Sequence, residues 1–246
     1  MTVRLAVPLV AACVVWAQAP QKLEYACPPE DVDAFGLSCS SSDPCPVFLE
    51  LASVEGLGAK LFLAGNLHTA TITLYGVLLA SEDGGKTWAE PHRRVRAATL
   101  EQIQLADFQH GFVGGVKLEP LARDAFLLAT TDGGKTWREL PVFEETRYGS
   151  IQQFWFDSAK TGELIFDRSQ GATKRYELYS TMTGGDTWDV REVTTKQPAL
   201  SKAQTRTNAT WRLRPDSASK TYRVEQRTTA GWETVSTFTV HIADCQ

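Results

Sequence analysis

The sequence has no apolar run long enough to cross a lipid bilayer and no excess of basic residues. Its longest apolar stretch, residues 5–16, has about a dozen residues, whereas a membrane-spanning helix needs roughly 20. We therefore expect no transmembrane helix. The 246 residues include 25 Lys and Arg against 29 Asp and Glu, which gives a formal net charge of −4. That balance argues against a nucleic-acid-binding surface.

Residues that bind metals are scarce and scattered. The histidines are His68, His92, His110 and His241. They do not recur at the short spacings typical of paired zinc ligands, and the five cysteines include no Cys-x-x-Cys pair. We therefore predict neither a metal site nor a cofactor.

The first 19 residues have the pattern of an export signal. Arg4 precedes the apolar run, which ends on the small-residue triplet Ala17-Gln18-Ala19. We expect cleavage after Ala19 and an extracytoplasmic protein, either periplasmic or secreted. Residues 10–13, Val-Ala-Ala-Cys, resemble the lipobox of bacterial lipoproteins, so a lipid anchor on Cys13 is the alternative.

Four cysteines remain after that cleavage, an even number that suits disulfide bonding outside the cytoplasm. Four cysteines allow three pairings. Cys39 and Cys45 flank a short turn-rich run, so they are natural partners, and Cys27 with Cys245 would then tie the two ends of the chain together. The chain-entropy model gives such a long loop a stabilisation on the order of 5 kcal/mol.

An eight-residue segment recurs along the chain. Residues 81–88, Ser-Glu-Asp-Gly-Gly-Lys-Thr-Trp, return almost unchanged as residues 130–137, which lie 49 positions later. A weaker copy occupies residues 181–188, and a barely recognisable one occupies residues 228–235. Repeats of about 40 to 50 residues are typical of β-propeller blades.

Short apolar stretches with strand character precede each copy of this segment. With a further strand after the turn, each repeat predicts a four-stranded antiparallel blade, and no helical periodicity of useful length occurs. The sequence therefore predicts an all-β, propeller-like fold of about four blades, in a small or incomplete ring. The predicted blades span about residues 48–92, 99–141, 149–192 and 197–241, and a cysteine-containing N-terminal segment at residues 20–47 precedes them.

The residue types of the repeated segment suit a tight hairpin. Paired glycines adopt the positive φ of such a turn, the Asp carboxylate accepts hydrogen bonds from turn N–H groups, and the Trp anchors the next strand. Asp83 and Asp132 give way to Thr183 and then Ala230 in the later copies, so we interpret the turn as structural, with no catalytic residue. The structural positions are Ser81, Asp83, Gly85, Thr87, Trp88, Thr130, Asp132, Gly134, Thr136, Trp137, Thr181, Gly185, Thr187 and Trp188.

These turns resemble the Asp-box repeat of bacterial neuraminidases, and the wider pattern is similar to one propeller family. Residues 100–115 carry an apolar strand, an Asp and a Gly-aromatic-apolar-Gly run, and residues 126–137 add a strand and the turn. This pattern resembles the blade repeat of photosystem II stability and assembly factors. The resemblance covers residues 48–190 well and residues 191–241 poorly. It implies an exported, non-catalytic propeller that binds another protein, although that family has about seven blades.

A sialidase-like glycoside hydrolase, or a carbohydrate-binding module, is the alternative function. Sialidases use three arginines, a Tyr–Glu pair and an acidic residue, and residues such as Arg147, Tyr148 and Arg175 are present here. The Arg-Ile-Pro signature of their first blade is absent, and the chain is too short for their six blades. We therefore predict that the protein is not an enzyme.

The predicted partner is another protein of the cell envelope. Its binding surface is expected on the loops opposite the repeated turns, because a rigid sheet scaffold displays variable loops there. The basic residues Arg93, Arg94, Arg96 and Arg123 are candidates for contact with an acidic partner. A solvated linker between blades is the simpler interpretation of the charges at residues 92–96.

Overall fold

The computed structural model describes residues 19–37, 42, 46–118, 124–200 and 210–242. The described chain starts with strand β1 (Gln21–Tyr25) and helix α1 (Pro29–Phe35). Helix α1 begins at a proline, whose missing N–H is no loss in the first turn of a helix. It ends at Gly36, whose φ of 59° lies in the left-handed region that favours glycine.

The remaining strands form four four-stranded sheets. Blade 1 contains β2 (Phe48–Leu57), β3 (Lys60–His68), β4 (Thr73–Ser81) and β5 (Val95–Arg96). Blade 2 contains β6 (Ala98–Leu105), β7 (Gly111–Lys117), β8 (Asp124–Thr130) and β9 (Arg138–Pro141). Blade 3 contains β10 (Ser150–Phe156), β11 (Gly162–Asp167), β12 (Tyr176–Thr181) and β13 (Asp189–Thr194). Blade 4 contains β14 (Trp211–Asp216), β15 (Thr221–Thr228), β16 (Gly231–Ile242) and β1. The predicted all-β fold of four four-stranded sheets is confirmed.

Blade 4 takes its outermost strand from the start of the described chain. Strand β1 pairs with β16 in parallel, from Gln21 opposite Phe238 to Tyr25 opposite Ile242, whereas the other paired strands are antiparallel. The sequence analysis placed residues 20–47 ahead of the blades, because it paired only strands joined by hairpins. The structure instead draws five of these residues into the sheet that lies last in sequence.

The blades follow the order 4-1-2-3 in space. One apolar cluster joins blade 4 to blade 1 through Trp211, Phe238 and Leu61. A second joins blades 1 and 2, and a third joins blades 2 and 3. Within the described residues, no apolar cluster contains side chains of both blade 3 and blade 4. The four blades therefore pack as an arc with blades 3 and 4 at its ends.

Blade 3 carries an apolar patch on the side that faces away from blade 2. Ile165 and Leu178 form its centre, with Trp155 and Tyr176 beside them. Leu200, in the segment after β13, is buried against this patch. In blades 1 and 2 the corresponding side packs against the next blade. The chain's own segment thus covers the outer side of the terminal blade, as a capping element does in other repeat proteins.

The first strands of blades 1 to 3 run in the same direction. Ser53 on β2 accepts a hydrogen bond from the Ile103 N–H on β6, at 3.2 Å. On β6, Gln102 and Gln104 each bind one residue of β10 through both its N–H and its C=O, namely Phe154 and Phe156. These glutamines give the interface between blades 2 and 3 a polar clamp inside an otherwise apolar contact.

Blade 4 has no described strand that corresponds to these first strands. Trp211, at the start of β14, lies against Gly56 near the end of β2, where a Cβ on Gly56 would come within 2.7 Å of the indole Nε1. At the other end, Phe48 at the start of β2 lies with Pro215 and Tyr222 around one groove. Strand β14 therefore runs opposite to β2, as the second strand of each of blades 1 to 3 runs opposite to the first.

Helix α1 is fixed to blade 1 by a buried carboxylate. Asp31 accepts hydrogen bonds from the hydroxyls of Tyr25, at 3.0 Å, and Tyr75, at 2.8 Å, and its Oδ1 lies 3.4 Å from Arg96. Burial and the hydrogen bond to Asp31 raise the pKa of Tyr75 to about 12. The guanidinium of Arg96 also lies over the Phe35 ring at 5.0 Å. The chain before blade 1 is thus tied to the same sheet that blade 4 packs against.

Candidate functional site

The repeated turns all lie at one end of the blades, which we call the turn face. In blades 1 to 3 the N–H of the first glycine of the turn donates a hydrogen bond to the hairpin between the first two strands. Gly84, Gly133 and Gly184 donate to the carbonyls of Ala59, Gln109 and Lys160, at 2.8, 2.9 and 2.8 Å. The opposite end, with the loops at residues 69–72, 168–175 and 217–220, is the loop face.

The first turn is closed by side chains that bind its backbone. Ser81 Oγ accepts the N–H of Gly85 at 2.8 Å and donates to Asp83. The Asp83 carboxylate also accepts the N–H groups of Lys86 and Thr87 and the Thr87 hydroxyl, at 3.0, 2.9 and 2.6 Å. The hydrogen bonds from the side chain and backbone of Thr87 hold the pKa of Asp83 well below its ordinary range. This carboxylate is ionised at neutral pH, and it accepts its hydrogen bonds from the turn.

The second turn repeats the first with almost the same distances. Thr130 takes the place of Ser81, and Asp132 accepts the Thr136 hydroxyl at 2.6 Å. Hydrogen bonds from Thr136 likewise hold the pKa of Asp132 well below its ordinary range. In the third turn Thr183 stands where the Asp was, and its hydroxyl still accepts the Thr187 N–H at 2.9 Å. The geometry therefore survives loss of the carboxylate, which is what a structural role requires.

The tryptophans of the first two turns pack against aromatic rings of the neighbouring blade, whereas Trp188 packs edge-on against Phe156 of its own blade. The indole N–H groups of Trp88, Trp137 and Trp188 donate to the carbonyls of Gly85, Gly134 and Gly185. Trp88 then packs edge-on against Phe238 of blade 4, and Trp137 packs edge-on against Phe62 of blade 1. These aromatic contacts lie between blades, so the turn and the blade interface form one unit.

The basic residues predicted to meet an acidic partner are partly committed within the chain. Arg94 forms a two-point ion pair with Glu90, and Arg96 is held by Asp31 and the Glu30 carbonyl. Arg93 is exposed. Arg123 lies outside the described residues. Among the described members of the set, Arg93 is therefore the one that is exposed and forms no ion pair with a described carboxylate.

Of the predicted disulfide cysteines, Cys27 is buried and disulfide-bonded. Cys39, Cys45 and Cys245 lie outside the described residues. So do the first 18 residues of the predicted export signal, which include Cys13. Cys27 lies two residues after Tyr25, which is set opposite Ile242 in the parallel pair. The pairing of those two cysteines stays a prediction.

A buried ionic cluster lies near the loop face of blade 3, and the sequence analysis missed it. Glu177 receives the Tyr179 hydroxyl at 2.6 Å and ion pairs from Arg168 at 3.2 Å and Arg175 at 2.8 Å. Arg147 donates to the Tyr179 hydroxyl at 2.9 Å. Three arginines with a Tyr–Glu pair are the residue types of a sialidase site. Their alternation in the chain, Glu177 and Tyr179 on one side of β12, was the available signal.

The geometry of this cluster does not suit nucleophilic catalysis. Tyr179 is only 4% exposed, so a sugar cannot reach its oxygen. Burial and the hydrogen bond to Glu177 raise its pKa to about 12, which is the wrong direction for an activated nucleophile. Burial would raise the pKa of Glu177, but the hydrogen bonds from Tyr179 and the two arginines outweigh it and hold this pKa below its usual range. The negative charge of Glu177 is thus balanced by Arg168 and Arg175, and its role is structural.

An outer groove of about 430 Å³ lies between the end of blade 2 and the start of β13. Its lining residues are Pro141, Val142, Phe143, Glu144, Glu145, Arg147, Asp186, Thr187 and Trp188. Next to it, β13 exposes Val190 and Val193, with 57% and 52% of their surface open to solvent. Within the described chain, no strand pairs with the outer side of β13.

A larger groove of about 550 Å³ opens on the loop face between blades 4 and 1. We call it the loop-face groove. Its lining residues are Pro46, Val47, Phe48, Leu49, Pro215, Asp216, Ser217, Ser219, Lys220, Thr221, Tyr222, Thr239, Val240 and Ile242. Elsewhere, the described residues contain no group of three or more potential metal ligands. No helix in the described ranges is long and apolar enough to cross a membrane.

No protein-family model matches the sequence, and no curated protein matches it. Solved structures with a similar arrangement include a PL25 ulvan lyase, which is 7% identical with a TM-score of 0.46 over 82% of this chain and 52% of that one. YCF48 bound to D1 peptide is 17% identical, with a TM-score of 0.41 over 80% of this chain and 60% of its own. A thermostable family-43 glycoside hydrolase is 7% identical, with a TM-score of 0.41 over 80% of this chain and 69% of the enzyme.

The chain spans about half the length of the ulvan lyase. Enzymes and a peptide-bound protein both occur among these structures, so likeness of fold does not decide between catalysis and binding. The four-stranded sheets establish that the chain has a β-propeller-like fold.

Proposed function

We propose that the protein is an exported, non-catalytic propeller that holds another protein of the cell envelope at the outer edge of blade 3. The observation that carries this proposal is the exposure of Val190 and Val193 on the unpaired edge strand β13. Met182, on the adjoining turn, is also exposed. Contiguous exposed apolar side chains on a folded domain are typical of a protein contact surface.

The outer edges of blades 1 and 2 are better protected against strand addition. Strand β5 has only two residues, and β9 has four and ends at Pro141, which has no N–H to donate. In blade 4 the outer position is taken by β1. Strand β13 has six residues and no proline. It can therefore pair with an extended segment of a partner, whose apolar side chains would cover the valines.

The described residues also favour binding over catalysis. The repeated carboxylates are saturated by their turns, and Glu177 is neutralised by Arg168 and Arg175. We expect no hydrolysis of a fluorogenic sialoside by the purified protein. Hydrolysis that disappears in Tyr148→Phe or Tyr179→Phe would replace the scaffold with the sialidase-like alternative.

Photo-cross-linking tests the binding surface. A benzoylphenylalanine placed at Val193 should capture one protein from the envelope fraction, identified by mass spectrometry. The matched control places it at Lys22, which is exposed on β1, the outer strand of blade 4. The double change Val190→Lys and Val193→Lys should prevent capture through a probe on Glu192. Equal capture at Lys22 and Val193, or none at Val193, would contradict the proposal.

Export belongs to the same proposal and has a separate test. Intact-mass spectrometry of the protein from its native cells should give a chain that begins at Pro20 with its cysteines oxidised. A mass that starts at Cys13 and includes acyl groups would assign a lipid anchor. A full-length reduced chain would place the protein in the cytoplasm and end the envelope scaffold idea.

A further inference from the structure

The loop-face groove has the composition of a ligand site, and neither the turns nor the outer edge of blade 3 uses it. Its apolar lining includes Val47, just before β2, Leu49 in β2, and Val240 and Ile242 at the end of β16. Its volume of about 550 Å³ lies within the range of roughly 300 to 1,000 Å³ that small-molecule sites occupy.

One cationic side chain lines this groove. The ammonium of Lys220 lies 5.8 Å from the centre of the Phe48 ring, and no carboxylate within the described residues pairs with it. Lys220 also has a φ of 53°, in the left-handed region that residues other than glycine seldom adopt. The 217–220 loop thus places a long cationic side chain at a strained backbone position on the rim of an apolar groove.

Two other polar side chains of the groove differ in whether they have partners within the described chain. The Asp216 carboxylate accepts the N–H groups of Ala218 and Ser219, at 3.1 and 3.3 Å, and faces Arg223 at 3.7 Å. It is therefore bound within its own loop. The Tyr222 hydroxyl has no hydrogen-bond partner in the part of the chain that the structure describes, and burial, followed by the charge of Glu50, raises its pKa.

We propose that the loop-face groove binds a small apolar anion, a hydrocarbon ring or short chain that carries one carboxylate or sulfonate. The apolar body lies against Val47, Leu49 and Val240. The anionic group pairs with the Lys220 ammonium, and the Tyr222 hydroxyl donates a hydrogen bond to it. An uncharged body of the same size would gain the apolar contacts and lose the charge-assisted ones.

A pair of fluorescent probes tests the charge requirement. Anilinonaphthalene sulfonate carries an anionic group, and N-phenyl-1-naphthylamine has nearly the same body without it. At low salt the sulfonate should bind about five- to tenfold more tightly than the neutral amine, and added salt should reduce that difference. Cinnamate should displace the sulfonate, whereas cinnamyl alcohol should not.

Variants of Lys220 test whether its ammonium causes the preference for the sulfonate. Lys220→Asn removes the ammonium and suits a left-handed backbone, so it should remove the preference for the sulfonate and leave binding of the neutral amine unchanged. Lys220→Arg should retain the preference. Lys174→Gln, which removes an exposed lysine from another loop of the same face, is the matched control and should change neither probe.

Three results would overturn the proposal: equal affinity for the two probes, an unchanged sulfonate preference in Lys220→Asn, or no binding of either probe. Far-UV circular dichroism of each variant shows that any loss of binding is not loss of fold. Binding of these probes does not depend on the partner proposed for blade 3, so the two ideas can fail separately.

Discussion

Gln104 offers the sharpest test of how blades 2 and 3 are held together. Its side chain is 1% exposed, and it joins β6 to the backbone of β10 at Phe156 through two hydrogen bonds of 2.7 Å. Gln104→Met keeps the approximate size of the side chain and removes both bonds. The Phe156 N–H and C=O then remain buried without that partner, at a cost of about 1–3 kcal/mol for each unsatisfied group.

We therefore expect Gln104→Met to lower the free energy of unfolding by about 2–6 kcal/mol. For a domain of this size each kcal/mol shifts the melting temperature by about 2–4 °C, so Tm should fall by about 4–24 °C. Urea unfolding followed by circular dichroism and by tryptophan fluorescence measures the change, and coincident transitions justify the two-state treatment.

Gln153 is the matched control for this clamp. It follows the bulge of β10 as Gln102 follows that of β6, but it is exposed. Gln153→Met should change the free energy of unfolding by less than about 0.5 kcal/mol. If Gln104→Met and Gln153→Met have equal stabilities, the clamp contributes nothing, and the apolar contacts alone hold blades 2 and 3 together.

Three further predictions follow from the turns and from helix α1. Gly134→Ala should destabilise the protein strongly, because a Cβ there would lie 2.2 Å from the Phe62 ring. A Cβ at Gly84 would meet nothing within 4 Å, so Gly84→Ala should lower the free energy of unfolding by only about 1 kcal/mol, for its positive φ. Equal losses of stability in urea unfolding would contradict this. The pKa values of Asp83 and Asp132 are lowered from 3.8, so the stabilisation that these carboxylates give is present above pH 3.8 and is lost as the pH falls below it. Between about pH 5 and pH 2, the Tm of the double variant Asp83→Thr and Asp132→Thr should therefore fall less than the Tm of the wild type. Asp189→Thr is the control. Asp31→Asn should lower the pKa of Tyr75 from about 12 toward its ordinary value of 10, because burial still raises this pKa but the anionic acceptor is gone and Arg96 and Arg94 still lower it. An unchanged phenolate titration by ultraviolet absorbance would show that Asp31 does not set the pKa of Tyr75.

The sequence predicts the parts of this fold that repeat. The turn at Asp83 recurs at Asp132 because one hairpin geometry needs the same hydrogen-bonding residues each time, and this spacing gives the blade count. The order of the blades in space, by contrast, could not be predicted from the repeats. It depends on β1 pairing with β16 and on Leu200 covering blade 3, and neither contact belongs to a repeat.

The candidate sites were harder to predict for a related reason. The cluster at Glu177 joins residues from a linker, a loop and a strand, and Lys220 meets Phe48 from the opposite part of the chain. Apart from the alternation of Glu177 and Tyr179 on β12, these contacts leave no periodic signal, because each residue has the sequence context of an ordinary loop or strand. The predicted arginine surface shows the converse: the charges at Arg94 and Arg96 were visible in the sequence, but their internal partners Glu90 and Asp31 were not.

The parallel pairing of β1 with β16 also sets an order of events during folding. His241 and Glu24 are 217 positions apart in sequence, yet they meet across this pair. Blades 1 to 3 consist of strands that lie close together in the chain, so each can form as soon as it has been synthesised. Blade 4 must wait for the last strand, and until then β1 has an unpaired edge and blade 1 has an uncovered apolar side. Strand β16 therefore completes the sheet to which β1 belongs, and a chain interrupted before β16 would leave the edge of β1 and the apolar side of blade 1 exposed at once.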